Sequence, residues 1–407
     1  MTDLTLLAQD GTTSTAPLRA APSWTRPDGP LTQRLVYAAA HVVPRTAGDN
    51  TPGAPADIDW DATLAFRHHL WSWGLGVADA MDTAQRNAGL DTASMRELVR
   101  RSSAEAHAVG GRIAVGVNTD DIASETATLD EIVGAYVSQL RHAEEHGAVA
   151  VVMASRHLAR AAQGSDDYRR VYERVIEAAS EPVVLHWLGA AFDPVLDGYF
   201  GSTSVPTAAD TVVRIMADAG ERVAGIKMSL LDADAEVALR SRLPGAARMF
   251  TGDDFHYVDL MSERDGRHSD ALLGAFAAIA PIASSAIQAL TSGDGDAQFR
   301  RVLAPTVALS RQVFEAPTWH YKSGIAFLSW LNGHQPAFTM VGGMHAARSL
   351  PQLSETVRLA NECGALEDPD LAAARWHGLL ALAGVSVGPA WRNGAGPRVR
   401  SGSGVVA

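Results

Sequence analysis

Residues 129–153 read LDEIVGAYVSQLRHAEEHGAVAVVM. The stretch 129–146 has the spacing of an amphipathic helix. Gly147 stops it, as a glycine just past a helix end does. Residues 148–153 are then short, apolar and not strictly alternating, which is how a strand buried on both faces reads. Helix, glycine, buried strand is the unit to look for elsewhere in the chain.

Outward from this unit the pattern repeats. Strands are expected at 35–43, 75–80, 112–117, 148–153, 182–187, 223–228, 247–251 and 269–278. Helical stretches separate them at 60–74, 92–109, 129–146, 166–179, 207–219 and 234–242. Such alternation gives a parallel sheet with helices outside, and this many units closes into a (β/α)8 TIM barrel. The competing arrangement is an open doubly wound sheet. It is disfavoured because His41-Val42-Val43-Pro44, not a glycine-rich nucleotide loop, follows the first strand. The domain reading is a loose arm at 1–30 with a short strand near 4–7, the barrel at 31–290, a C-terminal helical extension at 291–389, and a flexible tail at 390–407. The extension carries helical patterns at 298–314, 323–332, 351–362 and 369–383.

The formal charge is 34 − 46 = −12 over 407 residues, 47% of them hydrophobic. An acidic balance disfavours a nucleic-acid or anionic-membrane surface, which needs clustered Lys and Arg. A single cysteine, Cys363, excludes a disulfide framework and a cysteine-rich metal site. The start lacks a secretion-signal pattern, and the apolar run 271–290 is interrupted by Pro281. A soluble, cytoplasmic protein without nucleic-acid or membrane partners is expected.

Catalytic groups of a barrel gather at the carboxyl ends of its strands. The polar residues there are His41 after the first strand, Asp79, Asp82 and Thr83 after the second, and Asn118 after the third. His157 follows the fourth, His186 ends the fifth, Lys227 ends the sixth, and Asp253 and Asp254 follow the seventh. Lys227 stands in VAGIKMS at 223–229. Burial there favours the free amine, which can attack a carbonyl and form a Schiff base. Its alternative is structural pairing with Asp253 or Asp254. A metal site built from His41, Asp79, His186, Asp253, Asp254 and His256 is a competing reading of the same rim. His68-His69 falls on the outer first helix, and His142 with His146 sits away from the strand ends.

In this order, ADIDWD at 56–61, MDTAQRN at 81–87, PVVLHW at 182–187, GIK at 225–227 and FTGDD at 250–254 resemble the dihydrodipicolinate synthase / N-acetylneuraminate lyase superfamily of class I aldolase barrels. The resemblance spans roughly 35–290 and marks this chain as a divergent branch. It implies that Lys227 is the Schiff-base amine, that no cofactor or metal is needed, and that the chain forms a homodimer or homotetramer. The sequence also departs from the family. Asp82 and Thr83 stand where members carry two hydroxyl residues for a keto-acid carboxylate, and the family's proton-shuttle tyrosine is missing. Aspartate repels a carboxylate, so a keto-sugar or related polyhydroxy carbonyl compound is a better expectation than a pyruvate-type keto acid. His186, His157 and Asp79 are the expected proton-handling residues. Thr83, Asn118, Asp82, Asp253, Asp254 and His41 are expected to bind substrate. The leading expectation is a Schiff-base lyase or aldolase. The alternatives are a metal-dependent sugar isomerase or epimerase, and a non-catalytic ligand-binding barrel.

Overall fold

A computed structural model describes residues 3–264, 266–291 and 293–387. The expected 390–407 tail lies outside the described residues. Strands β1 (Leu4–Leu7) and β2 (Thr13–Ala16) form an antiparallel hairpin. The next eight are β3 (Val36–Ala39), β4 (Gly76–Asp79), β5 (Ile113–Val117), β6 (Val149–Val152), β7 (Val183–Leu188), β8 (Val223–Ser229), β9 (Arg248–Thr251) and β10 (Asp270–Leu273). They pair in parallel in chain order, and β10 pairs with β3 to close the barrel. The expected (β/α)8 TIM barrel with a C-terminal helical extension is what the chain forms.

The opening stretch of sequence shows how one unit is built. Thr128 caps helix Leu129–Glu145, and Glu131 returns the bond in a capping box. Ile132, Tyr136, Leu140 and Ala143 bury that helix against the barrel. Gly147, at φ +67°, turns the chain into β6 in a conformation that suits glycine. Two expected strands are shorter than read. β3 ends at Ala39, and beyond it the His41 carbonyl accepts from Arg67 Nη1 at 2.6 Å instead of joining the ladder. β10 ends at Leu273, and Ala275–Ala278 is already helical.

Alternation along each strand sends one set of side chains into the barrel and the other towards the helices. Tyr37, Ala78, Ala114, Val151, Val184 and Phe250 share the interior. Val77, Leu185, Ile226 and Met228 pack outside it. This parity fixes which strand-end residues can reach the mouth.

The extension comprises helices Gly295–Leu303, Val307–Val313, Tyr321–Leu331, Leu350–Cys363 and Pro369–Leu382. Tyr321–Leu331 is buried along nearly all of its length. Within the amino-terminal arm, the strand at Leu4–Leu7 is pinned to the extension. Thr5 N–H donates to His377 Nε2 at 3.0 Å, Trp376 Nε1–H to Thr5 O at 2.7 Å, and Leu7 N–H to Ser354 Oγ at 2.7 Å. Leu4 is fully buried with Trp376. Burying such side chains stabilises by about 1.5–3 kcal/mol each, so the hairpin is part of the extension's core. Among the described residues no helix is long and apolar enough to cross a membrane.

Candidate active site

On β8 the outward positions are Ile226 and Met228, so Lys227 and Ser229 face inward. On β7 the inward positions are Val184 and His186, and His186 is in register with Lys227. The turn after β9 lets the lysine stem through. A Cβ at Gly252 would lie 2.7 Å from Lys227 Cε and 2.1 Å from Ser229 Oγ. Any larger residue would displace both groups.

Lys227 opens on an inner cavity of about 20 Å³, walled by Ser229, Asp254, Asp82, Thr83 and Tyr321 among others. That is room for about one water. Lys227 is 9% exposed. Among the described residues its ammonium has no hydrogen-bond partner and no carboxylate oxygen within 4.0 Å. Burial lowers its affinity for a proton, and the charges of Asp82 and Asp254 partly oppose that. Asp254 Oδ1 accepts from Ala275 N–H at 2.9 Å. Burial pushes its carboxyl up, against the pull of Lys227. Thr83 Oγ1 and the Tyr321 hydroxyl share a hydrogen bond of 2.9 Å. Burial holds that phenol well above its ordinary value, so it stays a donor.

His186 lies behind this wall. Its Nε2 is 3.2 Å from Ser229 Oγ, and Nδ1 has no partner. Burial first, and Lys227's charge second, push the imidazole well below its ordinary value, so it is neutral. It reaches the cavity only through the serine hydroxyl.

An outer cavity of about 450 Å³ adjoins the inner one, and Asp82, Leu188 and Phe192 line both. Asn118 and His157 lie on its wall. Asn118 Oδ1 accepts from Thr119 N–H at 2.8 Å. His157 uses both ring nitrogens, Nδ1 with Thr119 Oγ1 at 2.9 Å and Nε2 with Ser124 O at 3.0 Å. The expectation that it shuttles protons is corrected: it has no free nitrogen and does not line the lysine's cavity.

The family described as "Protein of unknown function (DUF993)" matches residues 4–385. The chain belongs to this family. A search of curated proteins found no match. Solved structures resemble it at low identity. Dihydrodipicolinate synthase from Bacteroides thetaiotaomicron is 15% identical, with a TM-score of 0.60 over 80% of this chain and 98% of that one. The Aquifex aeolicus dihydrodipicolinate synthase is 14% identical, with a TM-score of 0.60 over 81% and 99%. A prophage protein of the dihydrodipicolinic acid synthase family from E. coli K12, solved in complex with pyruvate, is 16% identical, with a TM-score of 0.58 over 86% and 100%. At these identities the likeness is one of fold alone: this DUF993 chain shares its barrel architecture with these dihydrodipicolinate synthase structures.

Three further expectations about this DUF993 chain are corrected by strand parity and by occupied atoms. Asp79 follows Val77 on the outward face. Both its oxygens accept from Arg67, Oδ2 from Nε–H at 3.1 Å and Oδ1 from Nη2–H at 2.8 Å, with both side chains fully buried. It fastens helix Trp60–Ser72 to the barrel and does not line either cavity. His41 also leaves the mouth. Its Nε2 bonds Gln335 Oε1 at 2.7 Å, its ring meets Phe66 edge-on, and burial lowers its pKa to about 4. Asp253 spends its carboxylate on the turn, with Oδ1 accepting from Phe255 and His256 N–H and Oδ2 meeting His256 Nδ1 at 2.8 Å.

These placements scatter the donors of the competing metal reading. Among the described residues, the group with ligand atoms close enough to share an ion is His69, His334 and Glu367, all within 4.8 Å. It lies where helix Trp60–Ser72 meets the extension, and none of its members lines the two cavities. His69 is therefore not the surface residue its position on the outer helix suggested; its side chain is 11% exposed.

Two polar residues of the inner cavity are not among the expected site residues. Ser229 is two residues beyond Lys227, and the alternation of β8 could have found it. Tyr321 comes from the extension, and no local pattern says that its helix starts at the barrel mouth.

Proposed function

We propose that this protein is a class I lyase or aldolase that acts through a Schiff base on Lys227, with a keto-sugar or related polyhydroxy carbonyl compound as substrate. The observation that supports it is the lysine itself: buried, unpaired, and aimed into a cavity at the strand-end mouth. An amine so placed has a larger neutral fraction near pH 7 than an exposed lysine.

In this scheme the Lys227 nitrogen adds to the substrate carbonyl. The resulting carbinolamine loses water to give an iminium, and protonation of the departing oxygen is assigned to the Tyr321–Thr83 pair. Cleavage of the neighbouring carbon–carbon bond sends its electron pair into the iminium and leaves an enamine. The hydroxyl proton released with that bond goes to Asp254, whose raised pKa suits a group that takes and returns protons. Protonation of the enamine carbon and addition of water then release the ketone and the free amine. His186 exchanges protons with the cavity through Ser229. Asp82 beside the amine disfavours a carboxylate next to the reacting carbonyl and suits hydroxyl groups there.

The test is borohydride trapping on the full chain with a panel of keto-sugars and keto acids. Intact-mass and peptide analysis should find a covalent adduct on Lys227, absent from Lys227→Ala. A folded protein that gives no adduct across the panel overturns the reading.

A further inference from the structure

The outer cavity contains a second buried lysine that the scheme above leaves idle. Lys322 is 7% exposed, lines that cavity and does not line the inner one. Its ammonium makes a single long bond, to Trp319 O at 3.4 Å, and otherwise rests 4.8 Å from the centre of the Tyr321 ring. Among the described residues no carboxylate oxygen lies within 4.0 Å of it. An ammonium offers three donors. Among the described residues two of these have no protein acceptor, and the side chain lines the outer cavity. Other donors line the same cavity. Arg156 binds Asp193 through Nε, and among the described residues its two terminal nitrogens have no hydrogen-bond partner. The Asn118 amide nitrogen is unused as well, since its oxygen alone is engaged. Arg86, by contrast, is spent on Asp120, Gln139 and two backbone carbonyls.

We propose that the outer cavity binds an anionic group, a carboxylate or a phosphate, at the end of the substrate remote from its reacting carbonyl, with Lys322, Arg156 and Asn118 as its donors. This rests on the Schiff-base reading for the position of the carbonyl. The order of groups supports it: Lys227 lines the inner cavity alone, Asp82 lines both, and Lys322 lines the outer one alone. A chain of carbonyl, hydroxyls and terminal anion would meet amine, carboxylate and ammonium in that sequence. Burial also lowers the proton affinity of Lys322, with Asp82 opposing. A bound anion would restore it.

The experiment uses probes that cannot form an imine, so it stands apart from the fate of Lys227. Calorimetry on the full chain compares glucitol, glucitol 6-phosphate and gluconate. At least one anionic probe should bind ten-fold or more tightly than glucitol, and the better of the two identifies phosphate or carboxylate as the source. Lys322→Gln should remove that preference, bringing the anionic probes to within about two-fold of glucitol. Arg156→Gln, at a half-exposed position that does not threaten folding, should reduce it about three-fold. Equal binding of all three probes, no binding of either anion at millimolar concentration, or a preference that survives both substitutions overturns the proposal. Anion binding with no borohydride adduct would sink the Schiff-base reading and leave this site standing.

Discussion

The two faces of the barrel wall treat a buried cation in opposite ways. On the outer face, Arg67 is fully buried and meets Asp79 through two parallel hydrogen bonds, with both Nη1 donors on the Thr63 and His41 carbonyls. On the inner face, Lys227 is buried to nearly the same extent and bonds to nothing among the described residues. The first arrangement gives every nitrogen of the guanidinium and both carboxylate oxygens a partner and leaves no room for a ligand. The second leaves an amine unsatisfied beside space for one small group. Sites that carry strain or unmet polar groups are where function concentrates, and here one step in strand parity separates the two cases.

The largest effect should come from breaking the outer pair. Asp79→Ala leaves the Arg67 guanidinium buried without its counter-charge, which costs about 3–5 kcal/mol. Chemical denaturation should register that loss. The surviving folded fraction should still trap carbonyl compounds on Lys227 at the normal rate per molecule, because Asp79 lines neither cavity. A trapping rate that collapses with Asp79→Ala in folded protein would return Asp79 to the chemistry.

A smaller effect tests the inner face. Gly252→Ala places a methyl 2.7 Å from Lys227 Cε and 2.1 Å from Ser229 Oγ. The lysine must shift by about an ångström, and a misplacement of that size can slow a reaction about 100-fold. Adduct formation timed by mass spectrometry should slow accordingly, while Lys227→Ala should form none. An unchanged rate in Gly252→Ala would mean that the amine reacts from another position.

The barrel, and the position of Lys227 at a strand end, are legible in the sequence because both are written locally. Each strand is a short apolar run closed by a helix and a glycine, as at 129–153, and period-two alternation puts Lys227 inside once Ile226 and Met228 are known to face out. The same alternation could have turned Asp79 outward, given Val77 and Ala78, but an aspartate at a strand end reads as catalytic until its partner twelve residues earlier is seen. His41 and His157 were misread for a related reason: the hydrogen-bond partners that occupy them, Gln335, Thr119 and Ser124, are set by the closed fold and by no local pattern. Tyr321 and Lys322 depend on the closed fold most of all. They lie far along the chain from Thr83 and Asp82, and only the path of the extension over the mouth brings them there.

Lys322 also allows the comparison between satisfied and unsatisfied cations to be read as a slope. Burial lowers its proton affinity in the folded state below the ordinary 10.5, so the unfolded chain binds the proton more tightly. Stability conferred at this site therefore rises with pH between the lowered value and about 10.5, and the penalty is present in full below that window. Lys322→Met should accordingly be more stable than the parent at pH 7 by about 1 kcal/mol, the usual size of a function–stability trade-off. That gain should fade as the pH approaches 10.5. Melting temperatures of both proteins across pH 6–10 give the sign. A saturating anionic polyol should narrow or reverse the order at pH 7, since it compensates the ammonium in the parent and finds no partner in the methionine variant. A variant less stable than the parent at every pH would mean that Lys322 is already satisfied within the fold, and the contrast with Arg67 would vanish.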